Sequence, residues 1–531
     1  MTHLWSIAFC ANPRWDETVS DGAPNSRRAV PVRSAMLPSP RRSARGRAAG
    51  RLARLVALTT ALTLPAAGIA AASVTSSAIS ASNPAAAAAS KTAARPVVAS
   101  IAGAAAFSGR AAPIPAVAGA PVVHLQDPNP VSTAMCLQAI KLRCYSPVQY
   151  RVAYDLNPLY RAGVTGKGRT IVIVDSFGSP SIRHDLNVFD QQWGFPDPTL
   201  NVISFGKVPK FDPGNVTMDG WAEETTLDVE YAHAIAPGAN ILLVETPVAE
   251  TEGVAGFPEM MNAEQYVIDH YPGDVISQSF GATENTFPGF TQSNYSKLLS
   301  LRYAFADAAR HHVTVLAASG DSGATNDEAD GATLYPYRAI SWPSSDPLVT
   351  SVGGTKLLLA QDGNKIRPDQ VWNDIYGAGG GGVSSIFPRP GYQGGVATIV
   401  GNRRGTPDIS MSAAVRGGCW VYESFEPSGR GWKILGGTSE ATPIFAGVVA
   451  LADQLAGHRL GNINAALYAL GAASQTKNGG GRTGIVDVTT GDNSYGSKVT
   501  GYSAAPGYDL ASGWGTIDAA RFVPALAYVP G

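Results

Sequence analysis

The chain has 531 residues, 45% of them hydrophobic and only 15% charged, with Gly 58 and Pro 37. That hydrophobic content is too high for a disordered chain, and a net charge of −1 lacks the basic footprint of a nucleic-acid binder. A loop-rich globular protein fits this composition, whereas a coiled coil or a multi-span membrane protein does not.

The near-zero charge conceals a division. Residues 1–130 carry 13 Lys or Arg against 4 Asp or Glu, and the remainder carry 27 against 37. Arg41, Arg42, Arg45, Arg47, Arg51 and Arg54 precede an apolar run, Leu55 to Leu64, followed by Pro65 and the small residues Ala70, Ala71 and Ala72. A positive n-region, a short h-region and an Ala-rich exit read as a secretory signal within residues 1–72, with Met36 as an alternative start. The run is shorter than the ~20 apolar residues of a membrane span, so export without stable membrane association is expected. Residues 73–130, rich in Ala, Pro and Ser, are read as a low-complexity linker or reduced pro-segment. Cys10 falls ahead of the mature chain. Cys136 and Cys144 are close enough for a small disulfide loop, which leaves Cys419 as a buried thiol.

Residues 131–531 read as one large domain in which strands alternate with helices. Thr170–Asp175, Ile241–Glu245, Asp274–Ser277 and Val313–Ala317 are short apolar runs suited to strands buried on both faces. Helices are predicted over about 222–235, 261–270 and 296–310. The order is βαβ, and the expected fold class is α/β, a doubly wound and mostly parallel sheet flanked by helices. Functional groups in such sheets gather beyond the carboxyl ends of the strands.

Four segments carry candidate chemistry. Gly436-Gly-Thr-Ser-Glu-Ala-Thr-Pro443 opens an apolar helix running to about Ala456, which sets Ser439 at a helix N-terminus with Pro443 in the first turn. An N-cap serine is the bland alternative, but the crowd of small residues favours an exposed nucleophile. Glu224 and Asp228 stand at i and i+4, on one helix face, where two carboxylates repel. They read either as a solvated acidic face or as a base and its orienter. Asp321, in Ser319-Gly-Asp-Ser-Gly323 just past a strand, is either a turn residue or, if protonated, a donor to an oxyanion. Asp487 and Asp509, amid carbonyl-exposing turns, suit a hard cation such as Ca²⁺ or simple turn formation. Gly377–Gly382 reads as a loop in slight preference to a pocket-lining strand edge, and Trp372 before it as core rather than a substrate platform.

Taken in order, Glu224, Asp228, Asp321 and Ser439 resemble the sedolisin family, the serine-carboxyl peptidases of subtilisin-like fold. The resemblance extends through Pro147–Gly168, Ile235-Ala-Pro-Gly-Ala239, Ser277-Gln-Ser-Phe-Gly281, Ser351-Val-Gly-Gly-Thr355 and Thr406-Pro-Asp-Ile-Ser410 to the Asp487 and Asp509 segments. It implies Ser439 as nucleophile, Glu224 as general base, Asp228 as the group holding Glu224, and Asp321 in the oxyanion hole. It implies Ser279, Phe280 and Gly281 as the stretch that pairs with substrate backbone. It also implies one Ca²⁺ held by Asp487 and Asp509 with the carbonyls of Val488, Ala505 and Gly507. Many relatives have glycine where Ala505 stands, so that ligand depends on backbone angles that alanine can adopt.

A subtilisin-like protease with a histidine base is the rival reading, but none of the eight histidines has the required helix-start setting. His233 lies on the Glu224 helix nine residues further on, and Asp175 resembles a subtilisin acid after the first strand. Sedolisins are usually made with a long folded pro-domain, and the short low-complexity segment here departs from that pattern. An exported homologue that binds peptide or wall material without cleaving it is therefore a second alternative. The expectation is a secreted, monomeric endopeptidase acting on proteins or peptides, without nucleic acid. Asp321 must keep a proton while Glu224 loses one, which calls for acidic solution.

Overall fold

The computed structural model describes residues 129–529 apart from 272, 426–429, 477–480 and 497–498. All the described residues fall within a single unit of the chain. The signal region, nearly all of the linker and Cys10 lie outside the described residues.

The described chain opens with α1 (Thr133–Ala139) and α2 (Pro147–Ala153), and α3 (Ile182–Trp193) follows the first strand of the main sheet. A disulfide joins Cys136 to Cys144 with their Cα atoms 6.1 Å apart, and Cys419 is a free, buried thiol. Eight strands then build the main sheet: β1 (Thr170–Ser176), β2 (Leu200–Ser204), β3 (Asn240–Thr246), β4 (Val275–Gln278), β5 (Thr314–Ala318), β6 (Thr350–Lys356), β7 (Gln370–Val371) and β8 (Ile409–Ser412). Their order is β7-β6-β5-β4-β1-β3-β2, with β8 also paired to β6. Every pairing is parallel except β7 with β6.

Strand alternation explains why the runs are apolar throughout. Successive side chains point to opposite faces, so Ile171, Ile173, Ile241, Leu243 and Leu316 enter one core while Val172, Val174, Leu242, Val244 and Val315 enter another. Helices cover both faces. On the first lie α4 (Val216–Ile235) and α7 (Thr438–Ala456), supplying Leu227, Val229, Ile444 and Val448. On the second lie α5 (Phe257–His270) and α6 (Tyr303–Arg310), supplying Met260, Met261, Val267 and Phe305. Each fully buried aliphatic side chain contributes about 1.5–3 kcal/mol. Among the described residues no helix is long and apolar enough to cross a membrane.

Two features depart from the sequence reading. The helix expected over 296–310 is two pieces, Ser296–Leu299 and α6. Between them Leu301 N donates to Leu298 O and Arg302 N to Leu299 O, a tighter three-residue repeat that buries Leu298 and Leu301 together. An antiparallel hairpin that the sequence did not announce, β9 (Gly418–Glu423) with β10 (Gly431–Leu435), leads directly into α7. The two helices that matter most, α4 and α7, touch closely at Gly447, where a Cβ would fall 2.6 Å from Ile235 Cβ. This contact fixes their relative position.

Candidate active site

Ser439 is the second residue of α7, and the chain arrives there through two glycines. Gly437 has φ of 105° and donates its N–H to Ala413 O at 2.7 Å. A Cβ on Gly436 would lie 2.8 Å from both Ala413 O and Val415 N, so only glycine passes. The Ser439 side chain is fully buried, not exposed as the small residues around it suggested, because α4 and α7 pack into one core beside it; its Oγ closes no hydrogen bond of good geometry. Pro443 lies in the second turn rather than the first, because the helix begins at Thr438. Its missing N–H withdraws the usual i+4 donor from the Ser439 carbonyl.

Asp321 sits just past β5 and caps the same helix. Its Oδ1 accepts from both Thr438 N and Thr438 Oγ1, each at 2.8 Å, and Thr438 Oγ1 in turn accepts from Gly320 N at 3.1 Å. An anionic or polar oxygen at a helix N-terminus satisfies donors that the helix leaves open. This link between the third and first candidate segments was not legible, because Thr438 carried no signal of its own. The Gly377–Gly382 stretch, read as a loop, is pinned beside the Asp321 turn. Ala378 N donates to Asp321 O at 2.9 Å, Gly380 N to Gly320 O at 2.7 Å, and Ser319 Oγ to Gly380 O at 2.8 Å. A Cβ on Gly380 would collide with Ser319 O, which is why glycine stands there. Trp372 is fully buried, as expected of core.

Glu224 and Asp228 lie on α4, whose N-cap Asn215 accepts from Thr217 N and Met218 N. From Trp221 onward nearly every residue of α4 is buried, and both carboxyls are 0% exposed. The solvated-face alternative is therefore overturned. Burial drives the Glu224 pKa well above the usual carboxylate range; the nearby Ser439 hydroxyl opposes this, the charges of Asp175 and Asp321 reinforce it, and the Ser279 hydroxyl opposes it. Neither Glu224 oxygen closes a hydrogen bond of good geometry, so the approach of Ser439 is close but loose. Asp228 is likewise raised by burial and then by Asp175 and Glu224, and its Oδ1 accepts from Ser279 Oγ at 2.9 Å. Asp175, at the carboxyl end of β1 and fully buried, is pushed up to about 7, chiefly by burial. It joins the carboxyl group that the sequence reading assigned to Glu224, Asp228 and Asp321.

Ser279, Phe280 and Gly281 follow β4 and lead into Ala282–Thr283, which pairs antiparallel with Ser341–Trp342. Phe280 is 1% exposed and packs on Phe257 with ring centroids 6.2 Å apart, which commits its ring to the core. His233 belongs elsewhere: its Nε2 is 3.1 Å from Asp190 Oδ1, with both side chains buried.

At the C-terminal end, the two aspartates are drawn into one loop system. Gly507 N donates to Asp487 Oδ2 at 2.8 Å, and Ala505 N donates to Asp509 Oδ2 at 2.9 Å. Asp509 Oδ1 accepts from Ala511 N and Ser512 N. Burial raises both carboxyls above their ordinary range. Asp487 Oδ1 is buried and without a hydrogen-bond partner, a donor atom of the kind a cation takes. Gly507 has φ of 85°, whereas Ala505 is outside the left-handed region, so alanine is unstrained there. A separate cluster of Asp269, Asp307 and His311 is the group of three metal-ligating types found among the described residues. Asp307 there is already engaged by Arg310 and Gln265.

Glu440, directly after the nucleophile candidate, is fully buried and was missed. The available signal was a charged residue inside an otherwise small and apolar segment.

A parallel sheet between helical layers, with a serine heading one central helix, defines the subtilisin-like class. The subtilase family profile matches residues 220–462. Kumamolisin of Bacillus sp. (strain MN-32) is 31% identical over 393 residues, covering 72% of this chain and 63% of that protein. Sedolisin of Pseudomonas sp. (strain 101) is 30% identical over 399 residues, covering 73% and 62%. Human tripeptidyl-peptidase 1 is 30% identical over 320 residues, covering 55% and 50%. A solved structure of the Pseudomonas sedolisin, a serine-carboxyl proteinase complexed with two molecules of pseudo-iodotyrostatin, superposes with a TM-score of 0.58. It shows 27% identity over 72% of this chain and 98% of that one. The chain thus spans less than two thirds of the length of these curated relatives. It belongs to the sedolisin family.

Proposed function

We propose that this chain is a secreted serine-carboxyl endopeptidase that hydrolyses peptide bonds in acid through an acyl-enzyme on Ser439. The observation that carries the reading is a convergence. The Ser439 hydroxyl lies beside a fully buried carboxyl pair on α4, and Asp321 caps the residue before it.

In this mechanism Ser439 Oγ attacks the scissile carbonyl carbon and its proton passes to Glu224. Asp228, held by Ser279 Oγ–H, stands one turn along α4 and shares the pair's proton with Glu224. Asp321 keeps Oδ1 as the acceptor for Thr438; protonated on its other oxygen, it donates to the oxyanion. Collapse of the tetrahedral species expels the amine, which takes the proton from Glu224. Water then attacks the ester, Glu224 receives its proton, and Ser439 regains its own as the acid product leaves. The backbone of Ser279, Phe280 and Gly281 is assigned to pair with the substrate as an added strand.

One Ca²⁺ is assigned to the Asp487 and Asp509 carboxylates with the carbonyls of Val488, Ala505 and Gly507. Bound there, it neutralises two carboxyls and ties two loops together. Export is supported by the Cys136–Cys144 disulfide. Residues 131–531 are assigned as one monomeric peptidase domain behind the leader (1–72) and linker (73–130), with protein or peptide as substrate.

A peptide aldehyde forms a hemiacetal with an attacking hydroxyl. The expected outcome is a covalent adduct located on Ser439 by mass spectrometry and absent from Ser439→Ala, whose turnover falls by at least about 10³-fold. An adduct on another residue, or full turnover in the variant, refutes the assignment.

A further inference from the structure

Glu440 follows Ser439 directly and takes no part in the chemistry above. Its carboxyl is 0% exposed, and a buried carboxylate is costly without a cation or strong donors to compensate it. The groups facing it supply no cation. From α2 comes Tyr150, with Tyr154 just past the helix end; from β8 the Ser412 hydroxyl; from β9 the Cys419 thiol; from α4 Tyr231; and from the turn after β5 the like charge of Asp321. Tyr150, Ser412 and Cys419 approach the carboxyl, yet neither of its oxygens closes a hydrogen bond of good geometry. Burial dominates and pushes its pKa up to about 8.

That shell has little freedom to adapt. Ser412 Oγ donates to Tyr150 Oη at 3.3 Å, Ser412 N to Tyr154 Oη at 2.7 Å, and Tyr231 Oη to Trp420 O at 3.0 Å. Glu440 is also tied to the entry of α7, since its N–H donates to Gly437 O at 3.0 Å. Gly437 N in turn donates to Ala413 O, one residue past β8. The carboxyl and the turn carrying Ser439 therefore move together.

We infer that Glu440 is a positioning residue that works only as the neutral acid: its carboxyl seats the first turn of α7 against α2, β8 and β9 and so holds Ser439 Oγ toward Glu224. The inference rests on the reading of Ser439 as nucleophile. Once the proton leaves, an uncompensated charge has to reach water, and it carries the turn with it.

The test is incubation of the full chain across about pH 4 to pH 10, with residual activity measured after return to acid and hydrogen exchange followed over residues 436–445. The expected result is loss of activity with a midpoint near pH 8, together with loss of exchange protection at 436–445 while β1 and β4 stay protected. Glu440→Gln keeps the shape but has no proton to lose. It should move both midpoints up by at least about one pH unit, with kcat in acid within about threefold of wild type and KM unmoved. Equal midpoints in the two proteins overturn the inference. If Glu440→Gln fails to fold, the wild-type exchange decides, and protection lost first from the sheet overturns the inference too. Absence of peptidase activity at every pH would refute the catalytic reading, leaving the exchange over 436–445 to judge this one.

Discussion

One hydroxyl and four carboxyls, those of Ser439, Asp175, Glu224, Asp228 and Asp321, act on one another in the space between α4 and the head of α7. Charges at such spacing in a water-poor interior cannot all coexist, so the protons belong to the set and leave in shared steps. Asp321 is distinguished from the other three by its cap on Thr438. With Oδ1 accepting from Thr438, the donor proposed for the oxyanion is the other oxygen, a role that an asparagine amide reproduces without needing a proton. Asp321→Asn is therefore expected to keep a measurable fraction of turnover and to carry it to higher pH. Asp321→Ala, with no donor, should lose about 10²–10³ in kcat. An Asn variant whose upper pH limit matches wild type would contradict this role.

At the scale of elements, the site exists because two buried helices and one turn are locked to one another. Gly447 lets α7 approach Ile235 of α4, and Asp321 fastens the turn after β5 to the start of α7. Much of this was readable. The bounds of α7 followed from glycines before an apolar run, and the Glu224–Asp228 spacing placed both carboxyls on one face. What escaped the sequence reading were contacts between distant segments: Thr438 under Asp321, Gly380 against Ser319, and Glu440 among Tyr150, Ser412 and Cys419. No local periodicity encodes such pairs. The β9–β10 hairpin escaped for another reason, since Gly418–Glu423 and Gly431–Leu435 are buried over most of their length and lack the polar alternation that marks an ordinary hairpin. The break in 296–310 turns on a three-residue repeat, too fine for a helical pattern to reveal.

Across the whole molecule, the α/β class was legible because strands buried on both faces leave continuous apolar runs. The interior nonetheless holds many acids. Glu250, Glu264, Glu440 and Asp453 are each pushed up to about 8, and Glu252 to about 7, in every case chiefly by burial. Unfolded, such groups titrate near 4. The folded state therefore holds more protons than the unfolded one between about pH 4 and pH 8, and their contribution to stability, full below that window, is lost as pH rises through it. Thermal unfolding should come at least about 5 °C later at pH 4 than at pH 8, since 1 kcal/mol moves Tm by roughly 1 °C in a domain of about 400 residues and several such acids act together. Equal or higher Tm at pH 8 would contradict the burial of these acids as neutral groups.

The central claim is that a carboxylate, rather than an imidazole, activates Ser439 opposite a protonated Asp321. Its most direct test is the pH dependence of kcat/KM on a denatured protein substrate. A bell with its maximum below neutrality is expected, its acid limb set by the first ionisation of the Glu224, Asp228 and Asp175 set, which burial holds above the ordinary carboxylate range, and its upper limb by loss of the oxyanion-hole proton. A profile that instead rises through neutrality to an alkaline plateau would contradict it.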